Sequence, residues 1–142
     1  MQYHDDLSSI SLAQLRATQN WQQQYKLIIQ WGKLLSPKPE LRIADNLIRG
    51  CEVPVWLGCS LDQERYYFAL DADSSVIKGL ASLLLVQLNG KTHAELIGLD
   101  LQGELRELGL EKHLTPSRNN GFNAIIARIY DHLNNSNLHS GY

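Results

Sequence analysis

The chain has 142 residues, 44% hydrophobic and 20% charged: enough apolar side chains to bury one core without disulfide staples, and too many for a disordered ensemble. Its formal net charge is −2, and thirteen Lys and Arg are spread among fifteen Asp and Glu with no basic run, which excludes a phosphate-tracking, nucleic-acid-binding surface. The acidic residues 1–6 are the wrong chemistry for a secretory leader, and the most apolar stretch, 76–88, is broken by Lys78, Ser82 and Gln87 and too short for a membrane span, so the expected compartment is a reducing cytoplasm.

No repeat, low-complexity block or linker divides the sequence. One domain over residues 1–142 is expected, with its core at about 12–133 and a disordered tail at 134–142 rich in Asn and Ser. Trp21, Tyr25, Ile28, Gly32 and Leu35 recur at spacings of four and three, the pattern of one helix face, with Asn20 as its cap. Pro37 disfavours helical dihedrals at Ser36 and ends the helix, and Pro39 keeps the following turn irregular. A short helical segment over 43–48 then leads into Gly50-Cys51.

Beyond Cys51 the period changes to two. Val53, Val55 and Leu57 alternate with Pro54, Trp56 and Gly58, as the two faces of a strand do. Asp62-Gln63-Glu64 forms the hairpin turn, and Tyr66, Phe68 and Leu70 alternating with Tyr67, Ala69 and Asp71 form the returning strand. Either a third strand lies within 57–61 or the first is longer than the alternation shows.

Residues 76–88 then leave almost no polar face, the mark of a central helix buried all round, and Asn89-Gly90 stops it. Thr92 and Glu95 have capping-box spacing, so a short helix starts at His93. Another follows Asp100 and runs through Leu105 and Leu108 to Gly109. The last begins at Thr115-Pro116 and buries Phe122, Ile125, Ile126, Ile129 and Leu133. The order helix, strands, helices predicts an α+β fold with a small antiparallel sheet covered on one side by helices.

Two cysteines differ in setting. Cys51 lies on a loop between a helical segment and a strand, where Gly50 permits a tight turn, whereas Cys59 follows Gly58 near a strand end and reads as a buried small hydrophobe. Their spacing is not C-x-x-C, so a thioredoxin-like pair is disfavoured, although a regulatory Cys51–Cys59 disulfide is possible if the strand curls back. On residue chemistry alone, a lone loop cysteine in a cytosolic chain is more often inert than reactive. The five histidines, His4, His93, His113, His132 and His139, show no ligand spacing, and no metal site is expected. No phosphate-binding loop, dinucleotide fingerprint or serine-nucleophile elbow occurs. Asp71 and Asp73 flank the turn that opens the buried helix and read as capping and dipole-complementing residues.

Four blocks in order carry a family resemblance. They are Trp21-x-x-x-Tyr25 with Ile28, Ile29 and Gly32; Gly50-Cys51-Glu52 with Val55-Trp56; Asp71-Ala72-Asp73 with Ile77-x-Gly79-Leu80; and His113-Leu114-Thr115-Pro116-Ser117-Arg118-Asn119-x-Gly121. Together they resemble the SufE and CsdE proteins, sulfur acceptors for cysteine desulfurases, over nearly the whole chain. The resemblance implies the fold shared with IscU-type scaffolds, and a loop Cys51 that accepts a persulfide sulfur and packs into an apolar cavity when no partner is bound. It further implies a SufS- or CsdA-like desulfurase partner, stimulated by this chain and holding the PLP itself, so that this chain needs no cofactor and is a carrier more than an enzyme. A downstream sulfur acceptor or cluster scaffold completes the relay.

Gly50, Glu52, Asp73 and Arg118 are the expected partner-binding or loop-supporting residues, with a plain first-turn surface arginine as the other reading of Arg118. The nearest charges to Cys51 in sequence, Arg49 and Glu52, largely cancel, so activation is expected from extrusion of the loop and from the partner. Relatives carry a small polar residue and a polar or basic one where this chain has Val53 and Pro54, and Pro54 stiffens the loop. The alternative function is a thiol-redox protein using Cys51 and Cys59, and a structural adaptor needs neither.

Overall fold

The computed structural model describes residues 5–135. Helices α1 (Leu12–Arg16) and α2 (Trp21–Gly32) are followed by 3-10 turns at Pro39–Leu41 and Ala44–Asn46 and by strands β1 (Leu47–Ile48), β2 (Val55–Asp62) and β3 (Arg65–Ala72). After them come helix α3 (Ser75–Leu88), strand β4 (Lys91–Thr92), helices α4 (His93–Ile97) and α5 (Leu101–Glu107), a 3-10 turn at Leu110–Lys112 and helix α6 (Pro116–Asn134). The sheet runs β1-β2-β3-β4 and every pairing is antiparallel, so the α+β reading holds.

Local chemistry places α2, α3, α4 and α6 near where the sequence expects helices, whereas α1 matches no expected element and α2 stops at Gly32, short of Ser36. Asn20, Ser74, Thr92 and Thr115 cap α2, α3, α4 and α6 by accepting from backbone N–H groups of the first turn, and Thr92 and Glu95 form the reciprocal capping box. Pro39 does not leave its turn irregular, since it opens a 3-10 turn.

Three expectations need correction. Residues 43–48 are not a helical segment, because only Ala44–Asn46 turns and Leu47–Ile48 pairs with Val55 and Trp56 as β1. Of the two readings of 57–61, the longer first strand holds, because 57–61 belongs to one long β2 (Val55–Asp62). Cys59 sits mid-strand opposite Phe68 rather than near a strand end, and the extra strands are the two-residue β1 and β4. Val53 and Pro54 precede that strand rather than join it. As for the tail, α6 extends to Asn134, and 136–142 lie outside the described residues.

The core is organised around α3, which packs on β3, α2 and α6 and buries side chains on every face, from Val76 and Ile77 to Leu88. Its crossing with α2 is a backbone contact. A methyl group on Gly79 would fall inside the surface of the Ile28 carbonyl oxygen, and one on Gly32 inside that of the Ser75 carbonyl. Two residues that periodicity reads only as helix-face positions thus set the distance between the helices.

Near the end of β3, charge joins apolar packing, and Lys78 of α3 approaches Asp71 at 3.8 Å. The Arg42 guanidinium lies 4.4 Å over the Trp56 ring and donates to Asp71 through Nε and to Asp73 through Nη2, both at 2.9 Å. Asp71 also accepts from the Lys38 backbone N–H at 3.2 Å, and the buried Lys38 ammonium donates to Asp5 at 2.6 Å. Burial works against the Asp71 carboxylate, yet the bonds from Arg42 and Lys38 outweigh it and hold its pKa below the usual range. The capping reading of Asp71 and Asp73 therefore fails. Ser74 caps α3, and both aspartates hold Arg42.

Gly79→Ala is expected to lower unfolding stability by about 3 kcal/mol, because the obstacle is backbone and cannot rotate away. Urea titration followed by circular dichroism measures it, and a loss within experimental error would refute the close crossing.

Candidate functional site

Residues 49–54 bridge the paired ends Ile48 and Val55, so a short loop stands on a hydrogen-bonded base. Gly50 turns it with φ at +91°, a conformation that costs other residues and leaves glycine unstrained. Cys51, half-buried, then points at the second turn of α6, where its thiol donates to the Gly121 carbonyl oxygen at 3.8 Å. Val55 and Ile77 supply apolar wall, Ser117 and Arg118 close the seat from α6, and only about 10 Å³ stays free beside the sulfur. Gly121 leaves the seat filled up to contact, since a methyl group there would stand 3.6 Å from the sulfur and 3.7 Å from Ile77 Cδ1, and anything larger than a methyl would enter it.

Burial pushes the Cys51 thiol pKa up, because the thiolate loses more hydration than the thiol. Cys59, enclosed in the middle of β2, is pushed up to about 12 by the same cause. Both cysteines are free thiols.

The other residues named from sequence gather at the mouth of this seat. Glu52 accepts from the Ser117 hydroxyl at 2.9 Å and fastens the loop to the first turn of α6. Glu52, Asp73 and Arg118 line one open cleft of about 690 Å³ beside the seat, together with Tyr25 and Ile29 of α2. Arg118 lines both spaces, so it is more than a surface arginine of the first turn. Gly50 shapes the loop without lining either.

Sequence reasoning left Gly121 and Ser117 inside a quoted block without a role and did not single out Arg42. The only signal for Gly121 was a glycine in a helix interior, which usually has a packing reason. The histidines are scattered: His113 stacks on Trp21 at 4.8 Å, His93 bonds the Leu133 carbonyl, and His132 packs edge-on to Phe68. His4 and His139 lie outside the described residues. Among the described residues no group of three or more His, Cys, Asp or Glu could hold a metal ion, and no helix is long and apolar enough to cross a membrane.

Comparison with known proteins adds two findings. Residues 10–133 match the family model described as "SufE: Fe-S metabolism associated domain". The chain is also similar to a hypothetical protein from Thermus thermophilus whose structure was solved in solution, with 18% identity, a TM-score of 0.71, and coverage of 90% of this chain and 93% of that one. At that identity the likeness shows the fold alone.

The raised thiol pKa has a measurable sign. The alkylation rate of Cys51 in the folded protein should rise with pH through a midpoint above the ordinary thiol value of about 8.5, while Cys59 stays unreactive until urea unfolds β2. Peptide mapping after timed iodoacetamide labelling reads both, and a Cys51 midpoint at or below that value would contradict the seat. Ser117→Ala, which removes the tie to Glu52, should speed Cys51 labelling at neutral pH.

Proposed function

Because this chain belongs to the SufE family and so to iron-sulfur metabolism, we propose that it is a sulfur carrier whose Cys51 takes a sulfur atom from a cysteine desulfurase and passes it on for cluster assembly. The observation that carries this reading is the placement of one thiol on a short loop, half-buried against Gly121, while the second thiol is fixed inside a strand.

The chemistry is thiol-disulfide exchange. The Cys51 thiolate attacks the outer sulfur of a persulfide on the partner's cysteine, the partner's S–S bond breaks, and its electron pair leaves on the partner's thiolate. Cys51 then carries the outer sulfur as its own persulfide, and no external oxidant or reductant is required. Cysteine breakdown belongs to the partner, a SufS- or CsdA-like enzyme with its own PLP, which turns over faster when its persulfide is drained. A second exchange hands the sulfur to a downstream acceptor or scaffold.

The resting loop suits a carrier that waits. Inside the seat the half-buried thiol is short of thiolate, which slows its reaction with stray oxidants. Release breaks one S–H to O contact and one surface bond between Ser117 and Glu52 and wets a half-buried thiol, together about 2–3 kcal/mol, so roughly one molecule in a hundred stands open without a partner. Docking has only that small gap to close. Pro54 limits which backbone torsions absorb the movement and concentrates them on Gly50 and its neighbours.

A redox couple of Cys51 and Cys59 fits less well. Cys59 sits mid-strand opposite Phe68, its thiol pushed up to about 12 by burial, so it supplies little thiolate to pair with Cys51.

Incubation with a cognate desulfurase and cysteine should add one sulfur to the Cys51 peptide by mass spectrometry and raise sulfide production. Cys51→Ser should abolish both effects and Cys59→Ser neither. Full stimulation by Cys51→Ser would end the proposal, and a mass loss linking the two cysteine peptides would favour the redox reading.

A further inference from the structure

The seat that receives the thiol is too small for the thiol's own product. About 10 Å³ is free beside Cys51, at the lower limit of the roughly 10–15 Å³ that one water needs. A second sulfur is larger than a water oxygen and stands about 2.05 Å beyond the first. Toward α6 the Gly121 carbonyl oxygen is only 3.8 Å from Sγ, and Ile77 lines the same pocket. Atoms in van der Waals contact need about 3.5 Å between centres, so a sulfur added along that line would overlap helix backbone, which cannot rotate aside. Room exists in one direction, since the neighbouring cleft of about 690 Å³ shares Glu52, Val53, Ser117 and Arg118 with the seat.

We propose that Gly121 is a positioning residue that gauges sulfur load: it admits the Cys51 thiol and rejects the Cys51 persulfide, so that the loaded side chain is held out of the seat and in the adjoining cleft until its sulfur has been passed on. This rests on the reading of Cys51 as a persulfide carrier and adds a rule for its conformations. The empty carrier is closed and the loaded carrier is open, with no nucleotide or second ligand to drive the change. Loading also strains the tie between Glu52 and Ser117, since both residues border the seat. The surface offered to a donor therefore differs from the surface offered to an acceptor, and the sulfur itself makes the difference.

The test dispenses with the desulfurase. Cys51 is loaded with inorganic polysulfide, in which the thiolate takes one sulfur and the shortened polysulfide leaves. Hydrogen exchange at the amides of residues 50–53 is then compared in the thiol form, the loaded form and the form stripped again with dithiothreitol. Exchange should rise on loading and return on stripping, and loop exchange indifferent to load would overturn the proposal.

Substitution gives the second arm. Gly121→Val fills the seat, and Cys51 should label at least about tenfold faster without any load, as a drop of one unit in thiol pKa would give, with loop exchange already high and no longer responsive to loading. Parent-like labelling in a folded Gly121→Val would also overturn the gauge. Should that variant misfold by circular dichroism, loading of the parent protein decides alone. A working gauge without sulfur transfer from any desulfurase would count against the carrier function only, and transfer with a load-indifferent loop would count against the gauge only.

Discussion

The position of the Cys51 seat is inherited from a contact some distance away, the backbone crossing of α2 and α3. Because Gly79 touches the Ile28 carbonyl and Gly32 the Ser75 carbonyl, neither helix can slide without a clash. Ile77, which walls the seat, is two residues from Gly79, and Tyr25 and Ile29 of α2 reach the cleft beside it. A buried helix with apolar side chains on all faces would otherwise have many nearly equal ways to pack. The two glycines remove most of them. Seat and cleft are thereby fixed to within the tolerance of a close-packed interior, where a gap smaller than one water still has meaning.

The loop is built on a base as firm as its tip is weakly held. Ile48 and Val55 pair at its ends, and Trp56, the next residue of β2, lies under the Arg42 guanidinium that Asp71 and Asp73 hold. Arg42 connects the chain entering β1 with the end of β3, so the hairpin cannot splay when the tip moves. Around the tip itself there is one weak bond from the sulfur and one from Glu52. Large restoring energy at the base and small energy at the tip favour a local movement of 49–54 over a wider unfolding.

How much of this could be read from the chain follows from the range of each signal. Helix α6 and the hairpin of β2 and β3 were legible because burial on one side writes a period into consecutive residues. Strands β1 and β4 were not, since two residues cannot display alternation and each exists only by its partner. Residues 43–48 were expected as a short helical segment, and pairing of Leu47–Ile48 with β2 overrode it. Asp71 and Asp73 looked like capping residues because their partner Arg42 is 29 and 31 positions away. Cys51 was found through its loop and its neighbours, but the glycine that makes its seat lies 70 residues on. Packing between distant segments leaves no local pattern, and the size of a gap leaves none at all.

Burial affects the two halves of a sulfur relay in the same direction. To capture sulfur, Cys51 must be a thiolate; to release it, Cys51 must be a good leaving group, and a high pKa hinders both. A seat that raises the pKa is therefore an off position for either step, and one movement into a wetter cleft turns both on. Arg118 lines the seat and the cleft alike, yet burial alone sets the direction of the Cys51 shift, so no fixed charge activates the thiol in its seat. A permanently activated thiol would capture sulfur faster but would also be open to oxidants whenever no partner is bound. Under the proposed function, reactivity that depends on position avoids that exposure, because the raised pKa holds the seated thiol back and only an open loop would release it.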